Sequence, residues 1–200
     1  MTTLSGRAAH RPSRRQHILD AAVRVFGSEG VVNTSVADVA AACGLVPAGV
    51  YYHFETKEAV LAAVMETIGQ EIVAAMRPVE PIGPPAEDLA ERVRTVFRWS
   101  QAHPDKARVF YLWSVAASPE IESIRRRFVE GRIEAAARYL PARTRSAQEA
   151  VTRRLAARAA IELGMATSVA WLSGDVFDPS TDADDVADAL AAAMQRILGL

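Results

Sequence analysis

The sequence predicts an all-α fold, and three observations carry the prediction. Apolar residues recur at i, i+3, i+4 and i+7 along nearly the whole chain, the spacing of one helical face. Small polar residues stand at the heads of these stripes, with glycine and proline at their ends. No alternating run is long enough to make a strand, and there is no internal repeat.

The elements follow in order. Ile18, Ala21, Ala22, Val25 and Phe26 form the first stripe, which begins after Ser13 and stops at Gly27 to Gly30. Ser35 and Asp38 make a capping-box pattern ahead of a short second helix, which carries Val36, Val39, Ala40 and Cys43 on one face and ends at Gly44. Pro47 opens a third, short helix expected to run to about Phe54, because the N–H it lacks has no partner at that position anyway. Thr56 caps a long fourth helix striped by Leu61, Val64, Met65, Ile68 and Ile72 and reaching about Met76. The run from Arg77 to Pro85 holds four prolines and a glycine, cannot continue a helix, and marks a loop or hinge. Helical spacing resumes at Leu89, Val93, Val96 and Phe97, breaks at His103-Pro104, and resumes through Val109, Phe110, Leu112 and Trp113 to a break at Ser118-Pro119. Ile121, Ile124 and Phe128 lead the next helix, and a long one opens at Ser146 and Glu149 and runs to about Leu172. The last is capped at Thr181 and Asp184 and striped by Val186, Leu190, Ala193, Met194 and Ile197.

Composition limits the function classes. At 200 residues, 50% hydrophobic and 24% charged, the chain can bury a substantial core. Cys43 is the single cysteine, which excludes an internal disulfide framework and a paired-cysteine zinc site and fits a reducing cytoplasm. No stretch reaches the roughly 18 uncharged apolar residues of a spanning helix, and the basic N-terminus is not followed by an apolar signal core, so neither secretion nor a membrane partner is expected. The net charge of -1 is unevenly spread: Arg7, Arg11, Arg14 and Arg15 precede the first acid, Asp20, whereas six aspartates crowd residues 175 to 188. The basic end is suited to phosphate. His103, Glu162 and Cys43 are the polar candidates for catalysis, but there is no glycine-rich phosphate loop, H-E-x-x-H or G-x-S-x-G, so neither an enzyme nor a cofactor or metal site is expected.

The second helix, the turn at Gly44, Leu45 and Val46, and the third helix have the dimensions of a helix-turn-helix. With Val50 and Phe54 turned inward beside Val39 and Cys43, Pro47, Ala48, Tyr51 and Tyr52 project where a DNA groove would lie. Lys57 sits on the first turn of a helix, where a cation opposes the macrodipole, and a phosphate contact accounts for it where local stability does not. Thr34 or Ser35 offers a hydroxyl and backbone N–H groups to a phosphate, Arg14 and Arg15 belong to the basic end, and His53 is a structural histidine or a phosphate contact.

The order R-x2-IL-x-AA-x3-F-x3-G from Arg15 to Gly30, then TSVADVAAACGL from Thr34 to Leu45, then YYHFETKEAV from Tyr51 to Val60, resembles the DNA-binding domain of TetR-family transcriptional regulators over about residues 13 to 65. Two positions depart from the family pattern: Val46 stands where a serine often caps the recognition helix, and Gly49 where a threonine or serine often touches phosphate. The resemblance implies a basic flexible arm at residues 1–12, a DNA-binding domain at 13–58, and a helical effector-binding and dimerisation domain at 59–200. Small residues on the last two long helices, among them Ala156, Ala160, Gly164, Ala187 and Ala191, permit close helix approach, so a homodimer through those helices is expected. Phe97, Phe110, Trp113, Met165 and Trp171 are the candidates for lining a pocket for a largely apolar or acyl-type small-molecule effector. Arg94, Arg98 and Arg125 to Arg127 are candidates for pairing with an anionic group on it. The implied function is a cytoplasmic, ligand-released repressor that binds a palindromic double-stranded DNA operator. The alternative is a helical protein-interaction module whose helix-turn-helix does not read DNA.

Overall fold

The computed structural model describes residues 13–76, 83–115, 117–140, 146–178 and 180–200. The residues expected to form the basic arm, 1–12, and most of the proline-rich run, 77–82, lie outside them. Every regular element among the described residues is helical: α1 (Arg14–Glu29), α2 (Val36–Ala42), α3 (Pro47–Tyr51), α4 (Lys57–Ala75), α5 (Pro85–Ala102), α6 (Pro104–Arg108), α7 (Pro119–Ala137), α8 (Ala147–Ser173) and α9 (Ala183–Leu198). α6 runs directly into a π-helical turn at Val109–Trp113.

The starts of these helices are set by local chemistry. Ser13, Thr56, Ser118 and Ser146 each accept the backbone N–H three residues on, at 3.0–3.2 Å. Two boundaries differ from the sequence reading. α3 stops at Tyr51 rather than near Phe54, the chain leaving it through a turn at Tyr52 and His53. α9 is capped by Asp182, whose carboxylate accepts the Asp184 N–H at 2.7 Å, and not by Thr181; two adjacent residues can each cap, and the charged acceptor makes the stronger bond.

α1, α2 and α3 form a small N-terminal bundle closed by the first half of α4. α5, α7, α8 and α9 form a second bundle, with α5 packed along α9, α7 on α8, and the second half of α4 against α5 and α7. One apolar core runs through both, from Ile18 and Phe26 through Met65 and Ile68 to Phe97 and Leu190. Over one 18-residue window α8 is long and apolar enough to cross a membrane, yet it carries the Arg158–Glu162 pair and packs one face, with Ala157, Ala160, Ile161 and Met165, into the bundle with α7 and α9.

The two bundles also meet where α6 and the π turn lie on α1. The approach is close enough to demand glycine: a Cβ on Gly27 would stand 2.5 Å from Asp105 Cβ and 2.7 Å from its Cα. Lys106 ties the same segment to α4 through both oxygens of Glu71, at 2.8 and 2.6 Å. In an exposed helix Gly→Ala gains about 1 kcal/mol of helix propensity. Gly27→Ala should instead destabilise the protein, because overpacking at this contact costs about 1–3 kcal/mol; urea unfolding should show a lower midpoint with an unchanged m-value.

Candidate nucleic-acid interface and effector cavity

α2 starts with a complete capping box. Ser35 Oγ accepts the Asp38 N–H at 3.3 Å, and Asp38 Oδ2 accepts the Ser35 N–H at 2.8 Å and the Ser35 hydroxyl at 2.7 Å. These bonds to the charged form hold the Asp38 carboxyl below the usual aspartate range. α2 ends in a Schellman arrangement: Gly44 has φ +66°, its N–H reaches Ala41 O at 3.1 Å, and the Leu45 N–H reaches Ala40 O at 2.8 Å. That left-handed residue turns the chain sharply enough to bring α3 across α2.

α3 has no side-chain cap, since Val46 offers none, and Pro47 begins it instead. Val50 and Phe54 are buried with Val39 and Cys43, as the spacing predicted. The opposite face is open. Pro47, Ala48, Tyr51 and Tyr52 are all exposed, Tyr52 at 86% and Tyr51 at 52%. The Tyr52 ring stands edge-on to the half-buried His53, with centroids 5.1 Å apart, and α3 has no acidic residue. At the start of α1, Arg14 and Arg15 are exposed, and the Arg15 guanidinium lies over the Phe54 ring at 4.8 Å.

The polar residues between α1 and α4 make hydrogen bonds within the protein that the sequence alone does not reveal. Lys57 Nζ donates to Val31 O at 2.8 Å and to Thr34 O at 2.9 Å. Thr34 is buried, its hydroxyl donating to Val31 O at 3.2 Å. Local stability therefore does explain the cation at the head of α4: it pins the loop before α2, and the two carbonyls offset the unfavourable dipole. Ser35 is exposed but committed to its cap.

A cavity of about 390 Å³ lies between α4, α5, α7, α8 and α9. Its apolar wall includes Val93, Phe97, Phe128, Ile161 and Leu190. Of the five residues expected to line a pocket, Phe97 does. Phe110 is buried behind the wall, its ring 6.3 Å from that of Phe128, and Trp171 packs behind Phe97 at 5.4 Å. Met165 is buried beside Arg132, whose guanidinium reaches its sulfur at 3.2 Å. Trp113 faces outward near Gly30 at the contact with α1. Most of the arginines proposed for an anion are already paired: Arg94 with Asp188, Arg98 with Asp184, Arg125 with Glu122 and Arg127 with Glu66. The sequence reading missed the guanidiniums in the cavity wall, Arg92, Arg132 and Arg138, which carry no local signal.

The family model described as bacterial regulatory proteins, tetR family, matches residues 18–64. The HTH-type transcriptional regulator BetI of Rhizobium meliloti strain 1021 is 29% identical over 122 residues, 59% of this chain and 58% of that protein. AcrR of Shigella flexneri is 40% identical over 52 residues, 26% of this chain and 24% of that protein. The match thus spans a little over half the length of the first relative and about a quarter of the second. The crystal structure of a TetR-like transcriptional regulator from Rhodococcus sp. RHA1 superimposes with a TM-score of 0.76 at 25% identity, over 96% of this chain and 98% of that one. FadR from Bacillus subtilis, solved with stearoyl-CoA, shares the fold with a TM-score of 0.73 at 19% identity, over 90% of this chain and 96% of that one.

The hydrogen bonds of Lys57 set a specific expectation. Lys57→Ala should lower the unfolding free energy by about 1–2 kcal/mol while leaving the salt dependence of DNA binding unchanged. A phosphate contact would instead lower the slope of log affinity against log salt by about one. Denaturant unfolding and a DNA titration at several salt concentrations separate the two.

Proposed function

This chain is a member of the TetR family of transcriptional regulators, a DNA-binding regulator and not an enzyme, and from that premise we propose that it is a cytoplasmic repressor released from its operator by a small molecule. The observation that carries this reading is the exposed, acid-free face of α3 set on a rigid helix-turn-helix. Pro47 and Ala48 reach the groove first, Tyr51 and Tyr52 read or brace from its sides, and Arg14, Arg15 and His53 meet the flanking backbone. Ser35 contributes through the α2 terminus it orders. Residues 13–58 form the DNA-binding domain and 59–200 the effector and dimerisation domain.

The active species is a homodimer through α8 and α9. Val151 and Leu155 on α8 are 53% and 61% exposed and Ile197 on α9 is 38% exposed, with small Ala159 and Ala166 on the open side of α8. Such a stripe supports a four-helix bundle built from two copies. A two-fold dimer reads a palindrome with half-sites about one helical turn apart. The largely apolar cavity supports an apolar or acyl-type effector, in keeping with the stearoyl-CoA complex of the FadR relative.

The test is fluorescence anisotropy of the full chain on labelled DNA from beside its own gene, with random DNA as competitor. Competitor-resistant binding by two or four chains per site is expected, and Tyr52→Ala should cut the preference over random DNA about tenfold. Binding that random DNA displaces equally, on that and other segments of the genome, would favour a protein-interaction module.

A further inference from the structure

The cavity wall holds four guanidiniums, Arg92, Arg127, Arg132 and Arg138, and no carboxylate among the described residues. Three of the four have acidic partners behind the wall. Arg92 forks onto Asp88 at 2.8 and 2.9 Å, Arg127 pairs with Glu66, and Arg138 lies 3.6 Å from the same Asp88. Asp88 is buried, also accepts the Tyr139 hydroxyl at 2.5 Å, and among the described residues serves two arginines with one charge.

Arg132 has no carboxylate within 4.0 Å among the described residues; its one hydrogen bond there goes to the Met165 thioether, a weak acceptor. It is half-buried on α7, one turn after Phe128, and is flanked by Gly131 and Ala135, both small, exposed and part of the cavity wall. The cavity therefore opens beside an arginine with no acidic partner among the described residues, and the wall between its polar groups is largely apolar. Holding a half-buried guanidinium there costs desolvation that no carboxylate among the described residues returns and the thioether returns only weakly. An oxyanion returns it, because the planar fork matches carboxylate or phosphate with two parallel bonds.

We propose that the effector is an apolar chain ending in an oxyanion, with the head on Arg132 at the cavity mouth and the chain against Phe97, Phe128 and Ile161. The inference rests on reading this cavity as the effector site. Two oxyanion heads, carboxylate and phosphate, share the chemistry; a cationic or neutral head does not. A volume of about 390 Å³ lies near the lower end for small-molecule pockets and suits one short chain.

The test is calorimetric titration of the full chain with four probes of one chain length: decanoate, decyl phosphate, decan-1-ol and decyltrimethylammonium. At least one anion should bind about tenfold tighter than the alcohol, with the ammonium weakest, and the two anions together rank carboxylate against phosphate. Arg132→Met should reduce the anions to the affinity of the alcohol, whereas Arg132→Lys should keep most of the preference; circular dichroism checks that both variants are folded. An alcohol that binds as well as the tighter anion, an ammonium that binds best, no binding by either anion, or a preference that survives in Arg132→Met each overturns the inference. Operator binding, measured on the same samples without probe, is independent. Operator binding without anion preference leaves the regulator reading standing and removes this one, and anion preference without operator binding does the reverse.

Discussion

A single helix, α4, has to serve two bundles at once. Its first half closes the helix-turn-helix bundle through Val60, Leu61 and Val64, and its second half walls the cavity through Val73 and Met76. Its N-terminus is held by Lys57 to the loop before α2, and its middle by Glu71 to Lys106 on α6. In the regulator proposed above, packed interiors are dense and resist gradual deformation, so a change of width in the cavity would pass to α4 as a tilt or shift of a stiff rod. The position of α3 depends on that rod and on the contact at Gly27 between α1 and α6.

Rigidity on one side and space on the other are divided accordingly. The N-terminal bundle is fixed by a full capping box, a Schellman turn and a cation bonded to two carbonyls. The C-terminal bundle keeps an opening lined by Gly131, Ala135 and Gly164, where the helices do not interlock. In the proposed dimeric repressor, a ligand that binds better to a wider arrangement would remove the population in which two recognition helices match their half-sites. The energy for this comes from the differential affinity of the ligand, and an arginine at the cavity mouth with no acidic partner among the described residues is one source of it.

The N-terminal bundle was nearly complete in the sequence, because its signals are local. Ser35 with Asp38, Gly44, Pro47 and Thr56 each act within a turn of their own position, and the inward set of Val39, Cys43, Val50 and Phe54 follows from helical spacing alone. The two hydrogen bonds of Lys57 were not legible, because its partners, Val31 O and Thr34 O, lie 26 and 23 residues away in sequence and are backbone atoms that no residue pattern reveals. The effector candidates were chosen for size, but size at helical spacing selects core residues, which is where Phe110 and Met165 reside. Arg132 had no such mark. What distinguishes it is that no carboxylate among the described residues lies within 4.0 Å of it, a property of tertiary packing. The π turn at Val109–Trp113 escaped for a related reason, since one extra residue per turn scarcely disturbs an apolar stripe so short.

The most direct test of coupling between cavity and DNA-binding bundle needs no effector. Gly164 lies in the cavity wall on α8, and a Cβ there meets nothing within 4 Å. Gly164→Phe places a ring in the cavity as a tethered ligand, and Gly164→Ala serves as the control for backbone effects. The measurement is operator affinity by anisotropy, alongside thermal unfolding of each variant. Gly164→Phe should fold and lose about tenfold or more in operator affinity, while Gly164→Ala binds as the parent chain does. A folded Gly164→Phe that binds operator with unchanged affinity would contradict the coupling, because the cavity would then be filled without moving α3.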